Sequence, residues 1–250
     1  MNKFKSLVVG AALTAIAGPT FALGNFNSDF FKEGMDAEFD ALSEDLGAVL
    51  SYKAIAPAEP LGLLGFDIGL EGSFTGLESV DKWGEALETD VDYLPLVKLH
   101  AHKGLPFGID VGAVYSQIPS TDIQYMGAEL RYSFVSGNIA LPAVAVRGTY
   151  TTLLGIDELD FSTMGLELTV SKGFLMATPY AGIGQVWVSS DLDYTGDSGL
   201  PADKVSLSSD PSLFKWFVGL NFNLGLMNLA AEVDTTGDAV TYSGKLGLRF

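Results

Sequence analysis

From Leu61 to the last residue, hydrophobic and polar positions alternate in blocks separated by turn residues. Alternation with period two places one set of side chains on each face of a β-strand. Phe66, Ile68, Leu70 and Phe74 share a face against Asp67, Gly69, Glu71 and Ser73. Tyr93, Val97, Leu99 and Ala101 oppose Lys98, His100 and His102, and Phe107, Ile109, Val111, Ala113 and Tyr115 oppose Gly108, Asp110, Gly112 and Ser116. Met126, Ala128, Leu130, Tyr132 and Phe134 face away from Gly127, Glu129, Arg131 and Ser133. Val144, Val146 and Tyr150 oppose Ala145 and Arg147, and Met164, Leu166, Leu168 and Val170 oppose Glu167, Thr169 and Ser171. A seventh block puts Tyr180, Val186 and Val188 outward, with Ile183 and Trp187 left on its inner side. Phe214, Trp216, Val218, Leu220 and Phe222 then oppose Lys215, Gly219, Asn221 and Asn223. Met227, Leu229, Ala231 and Val233 oppose Asn228, Glu232 and Asp234. The chain stops in mid-pattern, with Tyr242, Gly244, Leu246, Leu248 and Phe250 against Thr241, Ser243, Lys245, Gly247 and Arg249.

The links between blocks sort by length. Gly104-Leu105-Pro106, Ser136-Gly137-Asn138, Lys172-Gly173 and the surroundings of Gly225 read as tight turns. Residues 76–90, 118–122, 153–160, 190–210 and 235–238 are longer or more polar, and the two kinds alternate along the chain. Strands with an apolar outside, a polar inside and alternating short and long links predict an antiparallel, up-and-down transmembrane β-barrel. About ten strands fit the pattern, with eight or twelve as alternatives because residues 48–55 can supply another. A soluble β-sandwich or lipocalin-like barrel is the competing fold, but it has no reason to sort its links.

A strand that ends the chain on Phe250 resembles the C-terminal signal of Gram-negative outer-membrane β-barrels. That resemblance implies an outer-membrane location and recognition of Tyr242, Leu246, Leu248 and Phe250 by the barrel-assembly machinery. The start of the chain agrees. Lys3 and Lys5 precede an apolar, small-residue run over residues 6–18, then Pro19 and the small-x-small Thr20-Phe21-Ala22. This is the anatomy of a cleaved secretory signal, too short to span the membrane itself. The expected division is residues 1–22 as signal, 23–60 as an N-terminal helix and linker, and 61–250 as the barrel.

Composition narrows the function. Removing residues 1–22 takes away two lysines and no acid, leaving 12 basic and 31 acidic residues, a net charge of −19. Nucleic acid needs a basic footprint and is excluded. The chain has no cysteine, so neither disulfide nor thiolate chemistry enters. Outer-membrane lipid and lipopolysaccharide are the expected surroundings, with divalent cations bridging an acidic outer rim to lipid phosphates.

Candidate chemistry lies on the inward faces. Asp67, Glu71, Lys98, Asp110, Glu129, Arg131, Arg147, Glu167, Lys215, Glu232, Lys245 and Arg249 carry both signs and would pair across the lumen. Many inward glycines suggest a roomy, wet interior, so the same residues are candidates for a selectivity lining. His100 and His102 share one strand face and, with Asp110, could form a metal or acid–base site. Outer-membrane proteases of the omptin family are acid–histidine enzymes, but their catalytic groups lie near the outer rim, where this chain has no histidine. Barrels of the deacylase kind pair Ser with His near lipid, and no matching pair is evident. Asp191, Asp193 and Asp197 begin like a calcium loop, but Ala202 stands where the bidentate Glu belongs.

Residues 27–50 follow a different period. Phe31, Met35, Phe39, Leu42 and Leu46 recur at helical spacing among many carboxylates. An acidic helix is repelled by anionic headgroups, so the expectation is a lumen plug seated near Lys98, Arg131, Lys245 and Arg249. A small gated or plugged channel for small solutes or hydrophobic compounds, without a cofactor, follows from these features. A structural or surface-binding barrel is the alternative, and an outer-membrane hydrolase a more distant one.

Overall fold

The computed structural model describes residues 35–87, 91–117, 122–195 and 204–250. The proposed signal, Phe31 and Asp197 lie outside the described residues. Helix α1 (Asp36–Leu50) leads into an extended strap, residues 51–61, and then into the sheet. Its strands are β1 (Phe66–Gly76), β2 (Tyr93–Gly104), β3 (Ile109–Gln117), β4 (Gln124–Ser136), β5 (Ala143–Leu154), β6 (Leu159–Ser171), β7 (Ala177–Thr195), β8 (Lys204–Ser209), β9 (Ser212–Leu224), β10 (Met227–Thr236) and β11 (Ala239–Arg249). A second helix, α2 (Val80–Leu87), lies between β1 and β2.

All pairings are antiparallel. β1 pairs with both β2 and β11, and β6 pairs with β7, so the sheet closes on itself. β8 is not an eleventh stave. The 19 residues of β7 pair with β9 over Ala177–Trp187 and with β8 over Ser190–Thr195. β8 and β9 are thus one course, broken at Asp210-Pro211, where proline has no N–H for the ladder. The barrel has ten staves, and the eight- and twelve-strand alternatives fall. Residues 48–55 are no strand but the end of α1 and the start of the strap.

At the seam, β1 and β11 are in register from Asp67 opposite Arg249 to Thr75 opposite Thr241. Phe250 extends that seam by exchanging backbone hydrogen bonds with Phe66, and the two rings stack at 5.7 Å. Deleting Phe250 should lower the fraction of protein that migrates as a compact, heat-modifiable band on unheated gels. An unchanged band would assign closure to the other register pairs alone.

Outside the wall runs a belt of exposed apolar side chains, among them Ile68, Leu99, Leu130, Leu166, Trp216, Val218 and Leu246. A soluble protein does not carry a continuous band of this kind, whereas hydrocarbon demands one, together with a closed backbone ladder. The hairpins β2–β3, β4–β5, β6–β7 and β9–β10 gather with Phe250 at one end, the turn rim. The remaining links, including α2, gather at the other end, the loop rim.

Two expectations about the wall need correcting. In β7 the phase is reversed: Tyr180, Val186 and Val188 are buried inward, while Ile183 and Trp187 are exposed on the belt. The inner face of β7 is apolar because α1 packs against it. The inward glycines do not leave the lumen roomy either. A Cβ added to Gly112 would strike the His102 ring, one at Gly219 would strike Tyr180, and one at Gly182 would strike Phe217. In each case the ring belongs to the residue directly across the ladder, so glycine makes space for an aromatic neighbour.

Candidate functional site in the lumen

The inward face changes character along the barrel. Toward the loop rim it is apolar: Leu94, Leu96, Val114, Tyr125, Leu153, Phe161, Val186, Val188 and Leu213 are all buried. Helix α1 enters there, with Asp36, Asp40 and Glu44 in solvent and Phe39, Leu42, Leu46, Val49 and Leu50 packed into that core. Met35 joins the core half-buried. Each fully buried Leu or Phe of this kind is worth roughly 1.5–3 kcal/mol against exposure, so α1 is held by packing along its length. Gly47 sits where α1 meets β7 and β9, and a Cβ there would strike Val188.

One helix carboxylate is used with care. Asp45 is buried and accepts from the backbone N–H groups of Glu78 and Ser79 at 3.1 and 3.0 Å, and from Trp83 Nε1 at 2.9 Å. It therefore ties α1 to the β1–β2 link and to α2 rather than to any cation. Removing it leaves three donors without that partner, so Asp45→Ala should destabilise the loop rim by about 2–4 kcal/mol. Near-ultraviolet circular dichroism of Trp83 and protease cleavage within 77–92 measure that loosening. Glu44, at the mouth, has its carboxyl raised above the ordinary value by partial burial and by Asp45, Asp238 and Asp40. The folded state therefore gains from this group as pH falls.

Toward the turn rim the lumen is filled by the strap. The wall's cations donate to the strap's backbone carbonyls: Lys215 to Tyr52 O at 3.0 Å, Lys98 to Lys53 O at 3.1 Å, Arg147 to Ala56 O at 3.4 Å and Arg131 to Pro57 O at 2.8 Å. Thr151 and Ser133 donate to Leu50 O and Ala58 O, and the strap's Ala58 and Leu61 N–H groups donate to Ser171 and Asp110. Ala54, Ala56 and Ala58 are buried and small, which lets an extended chain thread between the staves. Ile55 has φ +42°, a costly conformation for a β-branched residue that only a packed surrounding maintains.

The same cations are paired within the wall. Arg147 bridges Glu129 at 3.2 Å and Glu167 at 2.8 Å, and Lys215 reaches Glu167 at 2.7 Å. Arg131 binds Asp110 at 2.7 Å, Lys98 faces Glu71 at 3.3 Å, and Lys245 binds Asp67 at 2.8 Å. Glu232 is buried on the same lining. Arg249 lies at the turn rim beside Phe250, directly across the seam from Asp67. Among the described residues, one ion pair joins strap to wall by side chains: Lys53 Nζ to Asp234 Oδ1 at 3.2 Å. The lumen cations therefore do not seat the acidic helix, as charge alone suggested. The helix lies in the other half of the barrel, where its apolar face finds an apolar wall.

The histidines fall into this network. His100 Nε2 lies 3.0 Å from Asp67 Oδ1, and its Nδ1 lies 3.4 Å from Glu71. His102 Nε2 meets the strap's Tyr52 hydroxyl at 3.1 Å and lies 3.6 Å from Glu129. Asp67, His100 and His102 bring ligand atoms within 4.8 Å of one another, so Asp67, not Asp110, completes that trio. The second oxygen of Asp67 holds the Lys245 ammonium, and a divalent ion there would sit beside a buried positive charge. Asp191 and Asp193 lie exposed on β7, paired to β8, so their backbone has the ladder's shape and not that of a calcium loop.

The chain belongs to the DUF6588 family, a family of unknown function. Its model matches residues 83–250, which include β2 to β11 and leave α1, the strap and β1 outside the DUF6588 match. No curated protein matches the sequence. Among solved structures, the DUF6588 chain is similar to the translocator domain of the autotransporter NalP from Neisseria meningitidis, with TM-score 0.41, 11% identity and coverage of 90% of this chain and 99% of that one. It is also similar to the N-terminal β-barrel domain of Pseudomonas aeruginosa OprF, with TM-score 0.36, 10% identity and coverage of 76% and 99%. Ail, the attachment invasion locus protein of Yersinia pestis, gives TM-score 0.30 at 13% identity, covering 74% and 97%.

Proposed function

We propose that this chain is a Gram-negative outer-membrane barrel held closed by its own N-terminal segment, a plugged conduit for small solutes. The turn rim faces the periplasm and the loop rim faces outward, following the sorting of short and long links. The acidic loop rim (Asp81, Glu85, Asp92, Asp157, Asp160, Asp210) would favour cations at the mouth and suits divalent ions shared with lipopolysaccharide phosphates.

One observation carries the reading. Each wall cation that holds a strap carbonyl also has a carboxylate partner in the wall. Withdrawing the strap therefore strands none of those four charges, and stranded buried charge is what makes a lumenal ion network resist rearrangement. A filler meant only as structure has no need of a wall that is already neutralised without it. The exception is Lys53–Asp234, which acts as the latch.

Lys53→Met and Asp234→Asn should each make the plug leave more often. In planar bilayers the expected result is brief conductance steps for the variants and a quiet wild type. Silence from both variants and from strap-deleted protein would instead favour a structural or surface-binding barrel. Hydrolysis that disappears with His100→Ala would point to an enzyme.

A further inference from the structure

The turn rim carries a ring of apolar residues that no strand pattern requires. Every sector of the rim has one: Leu63 and Leu64 before β1, Phe107 between β2 and β3, Ile139 and Leu141 between β4 and β5, Leu175 between β6 and β7, and Leu226 between β9 and β10. They are not half-covered. Phe107, Ile139 and Leu175 are exposed by 90%, 102% and 108% of their full surface. Phe107 and Leu175 also hold left-handed backbone at φ +66° and +52°, positions where glycine or asparagine is the inexpensive choice. Among the described residues the loop rim is the reverse, with Leu77, Trp83, Val91, Ile123 and Ile156 buried in the core with α1 and its exposed tips acidic.

In two of these segments side chains satisfy backbone groups of the turn. Lys172 Nζ donates to the carbonyls of Asn138, Ile139 and Leu141 at 2.8, 2.8 and 3.3 Å. Lys103 Nζ donates to Leu63 O at 2.8 Å and Gly65 O at 3.0 Å. Asn138 Oδ1 accepts from the N–H groups of Ala140 and Leu141. Two lysines cap turn carbonyls at the rim, which lowers the cost of holding these turns against the membrane boundary.

We propose that this ring is a lipid-binding surface whose apolar side chains insert from the turn tips into the periplasmic leaflet. Continuity is the argument for lipid over a protein partner. The belt residues Phe66, Tyr132, Phe134, Val170, Phe222 and Phe250 lead directly into the tips, and the ring occupies all sectors rather than one side. A docking protein needs a patch, but a leaflet surrounds the barrel. Among the described residues no fully exposed acid lies on this rim, so anionic phospholipid is not repelled.

The inference rests on the barrel spanning a membrane, and the test separates the two. Single cysteines replace Leu175, Ile139, mid-belt Leu166 and loop-rim Asp157 in the cysteine-free chain. Each is labelled with a polarity-sensitive fluorophore and reconstituted into phosphatidylethanolamine/phosphatidylglycerol vesicles. Expected are blue-shifted emission and quenching by acyl-chain-brominated lipid at 175, 139 and 166, with iodide quenching only 157. Iodide quenching at 175 and 139, with 166 still lipid-quenched, would overturn the leaflet proposal and leave the barrel standing. Iodide quenching at 166 as well would overturn both.

Discussion

Deleting residues 36–59 should turn a silent barrel into a conducting one. That deletion removes α1, which fills the loop-rim half, and the strap, which fills the turn-rim half. What remains is a closed ladder of ten staves whose inward charges, apart from Asp234, still pair with one another. The barrel should therefore fold and keep its heat-dependent gel shift. Its bared loop-rim half would be apolar, and its turn-rim half would be lined by Lys98, Arg131, Arg147, Glu129 and Glu167. Discrete steps in planar bilayers, favouring cations because of the acidic mouth, are expected. Deleting only residues 36–50 should open the barrel less, because the strap would still hold the charged half.

Arg147→Met should be the most damaging substitution in the wall. Among the described residues Arg147 alone joins Glu129 to Glu167, and it also holds Ala56 O. All of these groups are buried. Breaking a buried ion pair from one side costs on the order of 3–5 kcal/mol, because a carboxylate is left without its counter-charge. Glu167 keeps Lys215, so most of the penalty falls on Glu129. Urea unfolding in lipid vesicles, followed by Trp fluorescence, should show a loss of that size. Adding Glu129→Gln to the same chain should recover a large part of it. A loss under about 1 kcal/mol would mean that water reaches the pair and that the lumen is wetter than its burial indicates.

Much of the barrel was legible in period-two alternation, since lipid outside and polar groups inside leave a pattern that survives strand by strand. The N-terminal segment was legible only in part. Helical spacing marks Phe39, Leu42 and Leu46 as one face, but complementarity between helix carboxylates and lumen cations points to the wrong half of the barrel. Strand register explains why those cations were not available. Glu71 stands opposite Lys98, Asp110 opposite Arg131 and Arg147 opposite Glu167, so the pairs form across neighbouring strands.

A usable signal for the helix did exist. Inward positions turn apolar toward the loop rim at Leu94, Leu96, Val114, Leu153, Phe161 and Leu213, and an apolar lumen wall needs an apolar occupant. The strap offered less. Residues 48–55 could be taken for a strand, and the groups the strap offers the wall are its own backbone carbonyls, which carry no side-chain signature. Tyr52 meeting His102 and Lys53 meeting Asp234 depend on how far the chain advances through the lumen. Local sequence does not encode that depth.

The threading of residues 36–61 from the loop rim to the turn rim is tested most directly by one cysteine. Asp36 is exposed at the outer end of α1, and the chain has no cysteine of its own. Asp36→Cys, expressed in intact cells and treated with a membrane-impermeant maleimide, should label fully without permeabilisation. Labelling that appears only after the outer membrane is opened would place the start of α1 in the periplasm and contradict a segment that runs through the barrel.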